Sequence, residues 1–133
     1  LHPPAGIVSG DELRISIEVQ QNAHTLVTTP GANRFYRART DLSIGDPKQT
    51  QITYISLEAG AKCEHFPLET LVYNQASGVN NVEVKLHSSS VYCGWDITCL
   101  GLPSSNADFT SGRFTQLNTL YCDDILIYHD KVL

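Results

Sequence analysis

Apolar and polar residues alternate along much of this chain. Glu12 to Val19 reads Glu-Leu-Arg-Ile-Ser-Ile-Glu-Val, with Leu13, Ile15, Ile17 and Val19 on every second position. A period of two is that of a strand with one buried face. The same criterion predicts strands over Thr25–Thr28, Phe35–Thr40, Gln51–Leu57, Val82–Leu86, Val91–Trp95, Ile97–Leu100 and Asp124–His129. Pro30-Gly31, Gly45-Asp46-Pro47 and Ser88-Ser89-Ser90 punctuate them. Helical signals are poor: Pro67–Tyr73 and Gln116–Leu120 each suggest a turn or two, without an apolar stripe over three turns. Residues 1–10, with two prolines and two glycines, read as an N-terminal tether, and residues 11–133 as a single β domain. Turn signals about every ten residues favour an all-β antiparallel sandwich or barrel with Greek-key character.

Composition narrows the function classes. A chain of 133 residues with 41% apolar content builds one domain, and it buries roughly two thirds of its unfolded surface. A net charge of -5 and a pI near 5.4 argue against a general nucleic-acid or anionic-membrane binder. No apolar run approaches the roughly 18 residues of a membrane span. The chain starts at Leu1 and contains no methionine, in keeping with a removed signal peptide. A monomer is expected.

The cysteines sharpen the compartment. Cys63, Cys93, Cys99 and Cys122 are an even set in a short chain, the pattern of a disulfide framework in a secreted, extracellular protein. Three pairings are open. In one extended strand Cys93 and Cys99 lie about 20 Å apart and do not pair. Across a hairpin turning at Gly94–Asp96 they do, which leaves Cys63–Cys122. Loop entropy makes the long closure worth about 4 kcal/mol and the short one about 2. Cys63 with one member of the central pair, and Cys122 with the other, is the alternative.

Gly60-Ala-Lys-Cys63, Val91-Tyr-Cys93, Trp95, Cys99-Leu-Gly101 and Leu117 through Cys122-Asp-Asp124 resemble small secreted fungal proteins. The resemblance covers the chain from Gln51 onward. It implies a fold similar to the βγ-crystallin Greek key. The size and four-cysteine plan also look like the elicitors of the plant hypersensitive response. That implies a non-enzymatic effector recognised by a plant host receptor or cell-surface component. The calcium sites of such keys need a hydroxyl ligand two residues after an Asn/Asp pair. Asp123-Asp124 is followed there by Ile127-Tyr128, and Asn80-Asn81 by Val84-Lys85. Calcium takes six to eight oxygens, so neither segment suffices, and no cofactor or metal is expected.

Two other function classes stay open. A cell-wall carbohydrate- or calcium-binding module is one. The other is a secreted hydrolase, most concretely a small guanyl-type ribonuclease, which Glu64-His65-Phe66-Pro67 resembles locally. Its chemistry needs a carboxylate base, a histidine acid and a cation for the phosphorane charge. Glu64, His65 or His87, and Arg113 are the candidates. The five histidines show no zinc-ligand spacing. No catalytic set is assigned. Arg34-Phe35-Tyr36-Arg37-Ala38-Arg39 is the candidate partner surface, because arginine beside aromatics grips phosphate, carboxylate or sugar. The simpler reading of that strip is an edge strand guarded by charge.

Overall fold

The computed structural model describes residues 6–132. Eleven strands form in the described residues: β1 (Glu12–Val19), β2 (His24–Thr28), β3 (Asn33–Phe35), β4 (Gln49–Leu57), β5 (Lys62–Phe66), β6 (Thr70–Val72), β7 (Ser77–Leu86), β8 (Val91–Gly94), β9 (Thr98–Leu100), β10 (Arg113–Cys122) and β11 (Ile125–Val132). They build three sheets, ordered β1-β4-β7-β10-β11, β2-β5-β8 and β3-β6-β9. Every named pairing is parallel except the β10–β11 hairpin.

The order repeats in threes. A long strand, a middle strand and a short strand turn two corners, and the chain returns to lie beside its own start. The result is a three-sided parallel β-solenoid of three coils, β1-β2-β3, β4-β5-β6 and β7-β8-β9. Glu12 pairs with Thr50 and Gln49 with Gly78, so successive coils consume 38 and then 29 residues. The difference lies in the returns. Residues 36–48 leave the first coil through a single 3-10 turn at Leu42–Ile44, whereas β6 reaches β7 in four residues.

This corrects the antiparallel Greek-key expectation. Period-two alternation belongs to any strand with one wet face, whichever way its neighbour runs. In a solenoid each strand faces inward on one side and solvent on the other. Turn signals every ten residues are corners here, not reversals. Both helical segments are strand: Thr70–Val72 is β6, and Gln116–Leu120 lies within β10. The third predicted strand stops at Phe35. The two-disulfide framework also fails, because all four cysteines are free thiols. Cys63 is buried, in line between Thr25 and Tyr92, while Cys93 is exposed beside Glu64. Neighbours one register step apart on opposite faces have diverging Cβ vectors and cannot be bridged.

Inward side chains stack in rows from coil to coil. Val19, Leu57, Leu86 and Cys122 make one row, and Ile17, Ile55, Val84 and Leu120 the next. The aliphatic residues of these rows, with Ala61, Cys63 and Val82, form the larger apolar cluster. Phe35, Val72, Ala76, Phe114 and Ile7 form the smaller one, where Phe35 and Phe114 meet edge to face at 5.0 Å. An intervening row is polar: Gln51, Asn80 and Gln116. Two amide bonds tie this row, Asn33 Nδ2 donating to Gln51 Oε1 at 2.9 Å and Asn80 Nδ2 to Gln116 Oε1 at 2.9 Å, while Asn80 Oδ1 is buried without a partner. Gln116 Nε2 passes the chain on to Asn118 Oδ1 at 3.2 Å.

The first corner repeats too. Ala23 N donates to Gln20 O, Ala61 N to Glu58 O and Ser90 N to His87 O. Asn22 and Gly60 take the same turn position with φ of 58° and 69°. The Asn22 side chain lies directly over Gly60, in the space a Cβ would need. Glycine suits position 60 on two counts, a left-handed dihedral that Asn22 tolerates at the equivalent place and the room that the Asn22 side chain occupies.

Of the tether, residues 1–5 lie outside the described residues. Ile7 does pack into the smaller cluster and makes a parallel bridge with Phe35.

Candidate functional site

The residues nominated from sequence are not gathered in one place. Glu64 and His65 are neighbours on β5 and point to opposite faces. Glu64 lies outside, 3.4 Å from His24 Nε2. His65 is buried, its Nδ1 3.4 Å from the Tyr92 hydroxyl. Burial holds the His65 imidazole below its ordinary range and the Tyr92 phenol above its own. His87 follows the last residue of β7, whereas Arg113 pairs with its first. Ten strand residues place them about 30 Å apart. A base, an acid and a cation on three such positions cannot serve one phosphate, so the ribonuclease constellation is not assembled.

Asp123 and Asp124 form the two-residue turn of the β10–β11 hairpin, with φ of 46° and 63°. The Asp123 carboxylate accepts the Ser88 N–H at 3.1 Å, and hydrogen bonding from the Ser88 side chain first, then from its N–H, lowers its pKa. That use is structural. Asn80 faces the interior and Asn81 the outside. No group of three His, Cys, Asp or Glu that could hold a metal gathers among the described residues.

The arginine-aromatic strip divides among several tasks. Phe35 is in the core. Tyr36 leans on the Tyr73 ring at 5.1 Å. Arg39 is a clamp for the first return loop: its guanidinium donates to Ser9 O at 3.2 Å, Gly45 O at 3.1 Å and Asp46 O at 3.3 Å. Arg34 is half-buried and Arg37 exposed. A shallow groove of about 540 Å³ runs between Val8, Arg37, Arg39, Asp41 and Ile44. A second, of about 500 Å³, lies at the first corner between Glu58, Lys85, His87, Asp123 and Asp124.

The feature missed from sequence is an aromatic platform on the outer face of β2-β5-β8. Trp95 stacks on Phe66 with ring centroids 4.2 Å apart and planes 23° from parallel. Its indole N–H donates to Pro67 O at 3.0 Å, which fixes the ring. Leu26 and Leu68 are exposed. Residues 66 and 95 look scattered in sequence, and only the coil-to-coil stacking brings them together; Leu26 lies on the same outer face, opposite Glu64. A fixed, half-exposed tryptophan in an apolar surround is the usual make-up of a protein-binding hot spot. Beside it, Asp96 carries a carboxyl raised by burial and opposed by a hydrogen bond from Asn118.

The solenoid spends its polar side chains on corners and clamps, beside open grooves and a fixed aromatic platform. The comparisons name the family. The model of the UreD urease accessory protein family matches residues 1–133. The chain is 67% identical over 132 residues to the urease accessory protein UreD of Psychromonas ingrahamii, a match covering 99% of this chain and 43% of that protein. It is 47% identical over 116 residues to UreD of Paracidovorax citrulli, covering 87% and 40%. It is 39% identical over 132 residues to UreD of Vibrio parahaemolyticus, covering 99% and 45%. The chain belongs to the UreD urease accessory protein family and spans less than half the length of these relatives.

This overturns the fungal elicitor reading and, with it, the plant receptor as partner and the secreted localisation. The relatives are bacterial urease accessory proteins. The even-cysteine argument pointed outward because thiols were read as bridges. The ribonuclease and wall-binding alternatives fall by the same finding. The non-enzymatic expectation stands, since the family is one of accessory proteins for an enzyme rather than of enzymes.

Proposed function

We propose that this chain is the solenoid part of a urease accessory protein and serves urease maturation as a non-catalytic docking scaffold. The family match over residues 1–133 carries the reading. The architecture supports it: parallel coils tie distant segments into one rigid body, and rigid surfaces bind without paying to be ordered. The face offered for docking is the Phe66–Trp95 platform with Leu26 and Leu68 around it.

Two experiments separate the parts of this proposal. Deleting the gene for the family-length protein from a urease-positive host is expected to abolish urease activity while leaving the amount of urease polypeptide unchanged. Full activity in the deletion strain overturns the accessory role. Restoring the gene as Trp95→Ala, or with Leu68→Glu, is expected to weaken co-purification with apo-urease at least tenfold, the scale of a lost hot-spot residue. Wild-type levels of co-purification from both variants remove the platform from the proposal and leave the accessory role intact.

A further inference from the structure

The two ends of the solenoid differ. At the first coil the short-strand side of the core is closed, although Ile15 of β1 remains 37% exposed. Phe35 is 0% exposed because Ile7, itself 2% exposed, bridges across it. At the third coil the same inward rows end in the open. Phe35, Val72 and Leu100 form one row by register, yet Val72 is 0% exposed and Leu100 52%. Val84, Leu120 and Tyr128 form another, and exposure climbs from 0% at Val84 to 50% at Tyr128. Leu57, Leu86, Cys122 and Ile125 form a third, which rises from 4% at Leu57 to 69% at Ile125.

The geometry of this end is a step. β10 and β11 extend the long sheet two strands beyond the third coil, while β8 and β9 are the last strands of their sheets. The wall so formed presents Ile125, Tyr128 and Val132 inward, with Asp130 among them, over a floor edged by Ile97 and Leu100. These five apolar residues are at least 50% exposed. The backbone is open as well. Val91 and Trp95 direct their amides to β5, through Ala61 O and His65 O, and Gly101 directs its own to Val72 O of β6. Alternation then turns the N–H groups of Tyr92, Gly94, Thr98 and Leu100 toward the step. Two bare strand edges beside apolar side chains that belong to core rows are a surface built to be covered.

We infer that this end is an internal seam: the part of the family-length protein outside residues 1–133 seats on it, pairing with the free edges of β8 and β9 and filling the step against β11. Two facts fix the occupant. The relatives are more than twice as long, this chain covering only 43% of the protein at 67% identity. The floor and wall also carry the same row register as the coils beneath, so they accept another length of coil without a change of pattern. A separate partner protein has no reason to match that register.

Hydrogen exchange on the wild-type family-length protein tests the seam without a substitution. The amides of Tyr92, Gly94, Thr98 and Leu100 are expected to exchange roughly a hundredfold or more slower than those of the exposed turn Ser104–Asn106, independently of protein concentration. Exchange at the turn rate overturns the inference. Protection that disappears on dilution also overturns it, since that assigns the face to a second copy. Alkylation supplies the side-chain arm. In the native family-length protein, cysteines introduced as Leu100→Cys and Tyr128→Cys are expected to react at least tenfold slower than Leu26→Cys on the outer face of the first coil. Equal rates at all three positions refute the seam.

Discussion

Gln49 is the sharpest test of how the first return loop is held to the coils. It opens β4, is fully buried, and spends its amide on three backbone groups. Nε2 donates to Ile7 O at 2.7 Å and to Tyr36 O at 2.8 Å. Oε1 accepts the Ser77 N–H at 3.1 Å. One side chain thus joins the N-terminal segment, the end of β3 and the start of β7. Gln49→Met keeps the length and the apolar stem but removes all three bonds. An orphaned buried N–H costs about 1–3 kcal/mol, and each lost carbonyl bond about 0.5–1.5 kcal/mol. Ile7 O keeps its bond from Tyr36 N, which softens the loss there. The expected destabilisation is therefore about 3 kcal/mol, a large share of the 5–15 kcal/mol typical of a domain. Urea unfolding followed by far-UV circular dichroism reads it. With a slope of about 1.5 kcal/mol per molar the midpoint falls by about 2 M. Gln49→Glu separates hydrogen bonding from volume, since it keeps the acceptor for Ser77 but turns a carboxyl oxygen on two carbonyls. At pH 8 it is expected to be at least as destabilising as Gln49→Met. If Gln49→Met lies within about 0.5 kcal/mol of wild type, the clamp is not what holds the loop.

Three further outcomes follow from the corners and the core. Gly60→Ala places a Cβ against the Asn22 side chain at a φ of 69°, so a loss of about 1–3 kcal/mol is expected in urea melts; Asn22→Gly should recover the steric part, and no recovery means that the dihedral alone sets the cost. Because burial depresses the His65 pKa, the unfolded chain binds a proton near pH 6.5 that the folded one refuses. Stability should fall as pH drops through 6.5 toward the folded pKa and be insensitive to this group above about pH 7.5; His65→Leu should flatten that part of the profile, and an unchanged slope removes His65 as its source. Finally, all four cysteines are free, so protein unfolded without reductant and alkylated should carry label on Cys63, Cys93, Cys99 and Cys122 by peptide mass mapping. Protection of any two would reinstate a disulfide.

The strands were legible because alternation is a local signal. β1 and the body of β4 and β7 stand where Leu13-x-Ile15-x-Ile17-x-Val19, Ile55-x-Leu57 and Val82-x-Val84-x-Leu86 place them. Direction was not legible, because it depends on how far the chain travels before it pairs. A repeat was present but irregular. Val19-Gln-Gln-Asn-Ala, Leu57-Glu-Ala-Gly-Ala and Leu86-His-Ser-Ser-Ser occupy one corner in three coils. Their spacings are 38 and 29 residues, as the registers Val19–Leu57 and Leu57–Leu86 require. A fixed-period search passes over such a pattern, because insertions go into the return loops and leave the corners unchanged. Gln116–Leu120 failed for another reason. Leu117 and Leu120 sit at helical spacing, but ten consecutive register pairs with β7 outweigh three residues of local preference.

The candidate site failed in the opposite direction, through reading chemistry where the chain was spending polar groups on itself. Arg39 meets three backbone oxygens, Asp123 caps a corner, and Asn80 Nδ2 is taken up by Gln116 Oε1 inside the coil. A parallel solenoid makes this economy necessary. Each coil turns two corners and a return, every one of which leaves backbone groups that no sheet pairs, and side chains of Asn, Asp, Ser, Gln and Arg are the available partners. The amide row adds specificity. A coil slipped by one residue would turn its inward amides to the outer face, and the Asn33–Gln51 or the Asn80–Gln116 bond would be lost with them. Polar side chains in such a chain therefore mark structure by default. The informative exceptions are apolar ones left outside, where Trp95 on Phe66 and the open rows ending at Leu100 and Tyr128 have no structural reason to face water.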